Sequence, residues 1–126
     1  MDLATLRSYL LAKPGAFEDY PFGPQPLVVK VVGKMFALVT AGDRPLQISL
    51  KCEPVQAQFL RNAFPAVQPG YHLNKEHWNT VTLEGSIPEE RVRAMIDDSY
   101  RLVVQGLSRA ARHQLVAGGE TGGGSS

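Results

Sequence analysis

The sequence predicts an α+β domain of two layers, in which an antiparallel sheet of about five strands is covered on one side by helices. Two patterns carry this prediction. Apolar residues recur at helical spacing near both ends of the domain, and between them Leu46, Ile48 and Leu50 alternate with polar residues, as in a sheet with one buried face. The expected order is helix, three strands, helix, two strands, helix.

The chain begins with a predicted amphipathic helix. Asp2 is a suitable N-cap, Leu6 and Leu10 recur at helical spacing, and Pro14 with Gly15 ends the helix. The next segment, "GAFEDYPFGPQP", is rich in Pro and Gly and is expected to be an ordered connector.

Three strands are predicted at residues 27–32, 35–40 and 46–51. Gly33 and Lys34 are expected to form the two-residue turn between the first two strands, because glycine tolerates the positive φ of such turns. The three strands should therefore form an antiparallel meander.

The second half of the domain is predicted to contain two helices and a second hairpin. Pro54 favours the first turn of a helix whose buried stripe would comprise Val55, Phe59, Leu60 and Ala63. Strands are expected near residues 71–74 and 79–84. Ser86 and Glu89 form a capping-box pattern before a last helix, whose buried face would comprise Val92, Met95, Ile96, Ser99, Tyr100 and Val103.

Length and composition bound the function classes. The 126 residues suit one domain, assigned to residues 1–117, and residues 118–126 form a Gly- and Ser-rich tail of the kind left by an expression tag. A formal charge of +1 restricts any nucleic-acid site to a local patch. One cysteine, no signal-peptide pattern and no apolar run of membrane-spanning length predict a cytoplasmic protein.

Four segments resemble the MmcQ/YjbR family of bacterial proteins. They are "EDYPFGPQPLVVKVVGKMFAL", "SLKCEP", "FPAVQPGYHLNKEHWNTVTLEGSIP" and "IDDSYRLVV", and they lie in order across most of residues 1–107. The resemblance implies a CyaY-like fold, shared with frataxin-type proteins and secretion chaperones. It also implies a predicted DNA-binding role, inferred for the family from a double-wing shape.

Catalysis and metal binding are not expected. Cys52 precedes the second helix, where the helix dipole could favour a thiolate, but no phosphate loop, nucleophile motif or carboxylate pair accompanies it, and it suits a small buried position. His72, Glu76 and His77 lack the four-residue spacing of a helical zinc motif. The sequence indicates no cofactor, no membrane association and no small-molecule substrate.

Two binding functions remain open. Basic or aromatic residues at the predicted turns would contact DNA phosphates or bases, and the candidates are Lys34, Arg44, Lys75, His77 and Trp78. The alternative is a protein-interaction module or weak homodimer that uses an apolar outward sheet face, formed by Val28, Val32, Phe36 and Leu38.

The stretch "GYHLNKEHWNTV" is the densest group of candidate residues, and it is interpreted as a rigid hairpin tip. Asn74 is expected to cap a single turn from Lys75 to Trp78, and Asn79 to end that turn in a left-handed conformation. Trp78 is expected to pack mostly against the domain and to hold Lys75 and His77 in place.

Overall fold

A computed structural model describes residues 1–42 and 45–122 of the chain, with side chains as far as residue 116. Within these residues the order is α1 (Leu3–Leu11), β1 (Ala16–Asp19), β2 (Leu27–Val31), β3 (Lys34–Thr40), β4 (Gln47–Lys51), α2 (Pro54–Ala63), β5 (Val67–Pro69), β6 (Trp78–Thr82), α3 (Glu89–Gln105) and α4 (Arg109–Gly122). The α+β class is confirmed.

The strands form one antiparallel sheet in the order β1-β2-β3-β4-β6-β5. Side chains from one sheet face, including Val29, Ile48 and Leu50, share a single buried core with Leu6 of α1, Leu60 of α2 and Ile96 of α3. The predicted arrangement of helices packed on one side of an antiparallel sheet is therefore confirmed.

Strand β1 is the strand that the sequence analysis missed. It lies inside the segment that was interpreted as a connector, and it pairs with β2 from Ala16↔Val31 to Asp19↔Val28. The segment has no apolar alternation because β1 is an edge strand, whose Phe17 is 44% exposed. The residues of β1 form a strand because they pair with β2, and this tertiary contact cannot be recognised from the pattern of the segment itself.

The turn between β2 and β3 is formed by Val32 and Gly33, one residue earlier than predicted. Their φ angles are 47° and 78°, and Val31 pairs with Lys34 across the turn. Two consecutive positive φ angles are typical of the hairpin turn that matches strand twist. The unusual residue is Val32, because a β-branched side chain disfavours the left-handed region.

A β-bulge places Phe36 in the core and corrects the prediction of an apolar outward face. Val29 pairs with Ala37 and Lys30 with Met35, so Phe36 is an extra residue in β3. Its side chain is fully buried and contacts Tyr100 edge to face, with ring centroids 5.2 Å apart.

The face of the sheet away from the helices carries polar pairs instead. Asp19 binds Lys30 at 2.7 Å, and the hydroxyls of Ser49 and Thr80 lie 2.7 Å apart. Val28 is buried, and Val32 and Leu38 are half-buried. The expected apolar contact surface is therefore absent from the described part of this face.

Helix α2 is rotated relative to its predicted orientation. Ala57 and Leu60 face the core, whereas Val55 and Phe59 are 76% and 57% exposed. The rotation directs Arg61 toward β6, where its guanidinium binds Asn79. In this orientation Arg61 forms a hydrogen bond with the buried Asn79 side chain, a contact that apolar spacing alone could not show.

One last helix was predicted, whereas the structure has two, α3 and α4. The buried face of α3 is as predicted, but Pro88 precedes the helix without a side-chain cap, because the Ser86 hydroxyl binds Glu84 instead of the helix. Helix α4 includes residues 118–122, which were assigned to the tail, while residues 123–126 lie outside the described part. The domain division stays a prediction.

None of the helices in the described ranges is long and apolar enough to cross a bilayer.

A polar cluster joins α1 to α3. The Tyr9 hydroxyl donates to Asp97 at 2.7 Å, the Lys13 ammonium binds the same carboxylate, and the Tyr100 hydroxyl donates to the carbonyl of Pro14 at 2.5 Å. Partial burial raises the pKa of Asp97, but the hydrogen bonds from Lys13 and Tyr9 outweigh it, so the pKa lies below its usual value. The charged carboxylate is therefore the form that the fold stabilises.

We predict that Asp97 contributes to acid unfolding. Because its pKa is lower in the folded state than the ordinary 3.8, its contribution is complete above that pH and is lost as the pH falls through the folded pKa. Asp97→Asn should cost less than about 1 kcal/mol at pH 7, since the side chain is 48% exposed, and should flatten the fall in unfolding free energy below about pH 4.

Urea unfolding at several pH values measures this effect. Lys13→Gln should flatten the same part of the profile, because it removes the cation that lowers the Asp97 pKa. An acid limb in Asp97→Asn as steep as that of the unsubstituted protein would contradict the assignment.

Candidate nucleic-acid interface

Three segments that are distant in the chain meet at one end of the sheet. Lys34 begins β3 beside the β2–β3 turn, Lys51 ends β4, and Trp78 begins β6 as the register partner of Lys51. We call this region, defined by Lys34, Lys51 and Trp78, the basic end. The predicted candidates Lys34 and Trp78 are thus brought together.

Lys51 was not among the predicted site residues, although the strand order could have indicated it. In an antiparallel meander the end of one strand lies at the same edge of the sheet as the start of the strand before it. Lys51 ends β4 and Lys34 begins β3, so this rule places both lysines at one end of the sheet. The alternation of Leu46, Ile48 and Leu50 reports which face of β4 is buried and carries no information on Lys51 at its end.

A cavity of about 310 Å³ opens at the basic end. We call it the Trp78 cavity, and its lining comprises Lys34, Met35, Lys51, Trp78, Val103 and Gly106. The last two residues belong to the C-terminal end of α3, so the helix forms one wall and the strand ends form the other.

The lysines of this cavity are available for ligands. Among the described residues, neither Lys34 nor Lys51 forms an ion pair. By contrast, Lys13 and Lys30 each bind an aspartate. The C-terminus of α3 carries a partial negative charge of about half a unit, which two full positive charges exceed. The lining of the cavity therefore carries a net positive charge although the chain is nearly neutral.

Trp78 is half-buried, and its backbone is fixed on two sides. Its carbonyl accepts a hydrogen bond from the amide of Gly70 at 2.8 Å, and Gly70 lies so close that a Cβ there would be 2.7 Å from the Cβ of Trp78. Trp78 lies within β6 and not at a hairpin tip. The indole is both an anchor and a wall of the cavity.

Residues 70–77 form a loop, because β5 lies at Val67–Pro69 and not at the predicted residues 71–74. Pro69 is tolerated at the end of β5 because β5 is an edge strand. As predicted, Asn74 caps the turn: its side-chain oxygen accepts from the amides of Glu76 and His77 at 2.9 and 3.2 Å.

The prediction for Asn79 is wrong. Asn79 lies in β6 and is buried, and the left-handed residue of this segment is His72, with a φ of 60°. His72 and Tyr71 are exposed, and their rings contact each other with centroids 4.0 Å apart and planes tilted by 51°. The loop therefore presents an aromatic pair that the sequence analysis did not single out.

Arg61 of α2 holds the loop against the sheet. Its guanidinium donates to the Asn79 side chain at 2.7 Å, to the carbonyl of Trp78 at 3.3 Å and to the carbonyl of Lys75. A charged donor that satisfies several acceptors makes strong hydrogen bonds. Arg61 thus holds the part of the loop from Lys75 to Trp78, which includes His77, against the sheet.

The remaining candidates lie on this loop or outside the described residues. The Lys75 ammonium donates to the carbonyl of Gly70 at 2.9 Å, and the His77 side chain is 45% exposed and 3.9 Å from the Glu76 carboxylate. Both residues lie on the loop that leads into Trp78, and we call this pair the rim. Arg44, the fifth candidate, lies outside the described residues.

Cys52 lacks the environment of a nucleophile. It is buried, and burial, followed by the nearby Asp98 and Glu53 carboxylates, raises the pKa of its thiol. A reactive cysteine needs the opposite shift. In residues 1–42 and 45–122 there is also no group of three or more His, Cys, Asp and Glu side chains placed to hold a metal ion.

The YjbR family model matches residues 11–102. The chain belongs to the YjbR family. It is 36% identical over 116 residues to the uncharacterized protein YjbR of Escherichia coli K12, covering 92% of this chain and 98% of that protein. It is 30% identical over 105 residues to the uncharacterized protein YyaQ of Bacillus subtilis, covering 71% and 87% of the two chains.

Solved structures show the same YjbR architecture. The crystal structure of Deinococcus radiodurans protein DR2400, a DUF419 domain, superposes with a TM-score of 0.84 at 40% identity, covering 90% of this chain and 86% of that one. A Pseudomonas syringae protein superposes with a TM-score of 0.72 at 30% identity, covering 81% and 98%. The family resemblance of the four sequence segments is confirmed.

We predict that Arg61 is required for the shape of the loop. Arg61→Met should lower the unfolding free energy by about 2 kcal/mol, because the buried Asn79 side chain and two loop carbonyls lose a charged donor. It should also shift the emission of Trp78, the only tryptophan, and speed amide exchange in residues 70–77.

Arg112→Met provides a matched control. Arg112 is exposed on α4, so its substitution should change the stability by less than about 0.5 kcal/mol. If Arg61→Met left both loop exchange and Trp78 emission unchanged, Arg61 would not be the residue that positions the loop.

Proposed function

We propose that this YjbR-family protein binds nucleic acid in the bacterial cytoplasm through its basic end and that it acts as a binding protein without catalysis. The observation that carries the proposal is the placement of Lys34 and Lys51, neither in an ion pair within the described residues, in one cavity with the half-buried Trp78. Ammonium groups that lack carboxylate partners can contact phosphates without breaking an existing pair.

The charge of the chain limits the expected affinity. Each lysine that contacts a phosphate releases condensed counterions, and binding weakens with salt in proportion to the number of contacts. Two or three contacts imply a shallow salt dependence and an affinity typical of non-specific binding, about 10⁻⁴ to 10⁻⁶ M. Lys75 and His77 on the rim add to this charge, whereas the exposed Glu76 opposes it.

The expected result of a salt titration is binding at about 20 mM salt that is lost near 200 mM. The double variant Lys34→Ala, Lys51→Ala should reduce the slope of log affinity against log salt by about two, because two phosphate contacts are removed. Fluorescence anisotropy with labelled oligonucleotides measures both quantities.

Arg91→Gln is the charge control. Arg91 is exposed near the start of α3, roughly 20 Å from Gly106 along the helix, so its loss changes the net charge without touching the basic end. It should retain most of the binding. An absence of binding at low salt, or a double variant that binds like the unsubstituted protein, would overturn the proposal.

A second candidate function is weak homodimerisation through α2, supported by the exposure of Val55 and Phe59. The other exposed residues within α2 are uncharged as well, namely Gln56, Gln58, Asn62 and Ala63. Two copies related by a two-fold axis could therefore bring this surface together without repulsion between like charges. Apolar side chains at adjacent helical turns provide the contact area.

We predict that sedimentation equilibrium will detect dimers at concentrations of about 1 mM, and that Phe59→Asp will abolish them by placing two carboxylates at the contact. Phe22→Asp is the matched control, because Phe22 is 72% exposed on a different part of the surface. A protein that remains monomeric throughout, or a Phe59→Asp variant that still dimerises, excludes this use of α2.

A further inference from the structure

The Trp78 cavity has a volume that suits one nucleotide. Its volume of about 310 Å³ lies at the lower end of the range of small-molecule sites, roughly 300 to 1,000 Å³. The base of an unpaired nucleotide can turn out of its strand and enter such a space. A base in a duplex is stacked on both faces and can enter only after unpairing, which costs a few kcal/mol.

The position of Trp78 excludes the usual way in which an aromatic side chain contacts a duplex. Wedge residues project from the protein surface and insert between base pairs. Trp78 is half-buried in β6, and its backbone is held by Gly70 on one side and by pairing with Lys51 on the other. A half-buried indole in the wall of a cavity does not project as a wedge residue does, so a base has to enter the cavity to reach it.

The charges around the cavity define how a nucleotide would lie in it. Lys34 and Lys51 attract a phosphate, whereas the partial negative charge at the C-terminus of α3 repels it. A phosphate therefore belongs at the lysine side of the opening. Val103 and Met35 supply apolar surface for the base, which stacks on the face of the indole.

We infer that the Trp78 cavity is a single-strand subsite, in which one unpaired base stacks on Trp78 while Lys34 and Lys51 bind the flanking phosphates. This inference rests on the proposed function and specifies its ligand. The protein then prefers single-stranded nucleic acid over a duplex, because only a single strand offers a free base at no cost in unpairing.

Trp78 itself reports the binding event. It is the only tryptophan, so all tryptophan emission of the protein comes from Trp78, and a base that stacks on the indole quenches this emission. The probes are a thymidine oligonucleotide of about 20 nucleotides, a duplex of equal length and an abasic single strand of equal length that retains the phosphates. The abasic strand separates base stacking from phosphate binding in the unsubstituted protein.

We expect the thymidine strand to quench Trp78 and to bind about tenfold or more tightly than either the duplex or the abasic strand. Salt dependence should be similar for the thymidine and abasic strands, since both present the same phosphates. Trp78→Leu should bind all three probes with nearly equal affinity. Because this variant has no tryptophan, its binding is measured by the fluorescence anisotropy of labelled strands. Trp78→Phe should retain part of the preference.

The outcomes separate the two proposals. If no probe binds at low salt, the proposed nucleic-acid function fails. If all three probes bind alike, or if the thymidine strand binds without changing Trp78 emission, nucleic-acid binding stands and the single-strand subsite is wrong. The abasic comparison uses the unsubstituted protein, so it decides the question even if Trp78→Leu fails to fold.

Discussion

The hydroxyl of Ser99 is the contact on which the arrangement of α3 and the sheet depends. It donates to the carbonyl of Phe36 at 2.6 Å and accepts from the amide of Lys51 at 2.8 Å, and the residue is fully buried. Phe36 is the bulged residue of β3, and bulged residues lose their regular ladder partners. Since unpaired buried backbone groups are costly, one serine joins α3 to two strands and stabilises the bulge.

The basic end follows from this contact. The backbone amide of Lys51 donates to the Ser99 hydroxyl, and that hydroxyl donates to the carbonyl of Phe36, the residue after Met35. Lys51 and Met35 are therefore held at fixed positions relative to α3. Val103 lies one helical turn beyond Ser99 and faces the same side. The cavity beside Trp78 is thus formed by the ends of strands and the end of α3. The buried Ser99 side chain links the helix to these strands. Arg61 performs the corresponding role for the loop on the other side of β6.

Much of the apparent chemistry in residues 70–79 is structural. Asn74 caps a turn, Asn79 binds the Arg61 guanidinium, and Gly70 permits close approach to Trp78. Lys75 is tethered to the carbonyl of Gly70. What this segment offers to a ligand is an indole held in one position and a charged rim. A rigid aromatic surface with adjacent cations suits recognition, whereas a reaction would require an activated group.

The sequence by itself determined the class, the positions of α1, α2 and α3 and the central strands, because apolar periodicity and turn residues are local signals. The buried face of α3 is the clearest example. Only the tertiary structure decided the features that depend on partners distant in the chain: β1 exists through pairing with β2, Phe36 enters the core through a bulge, and α2 turns so that Arg61 reaches Asn79. Lys34, Lys51 and Trp78 are separated by 17 and 27 residues in the chain, and strand register brings them to one cavity. Periodicity is a local property, whereas register and hydrogen bonding between distant segments are not.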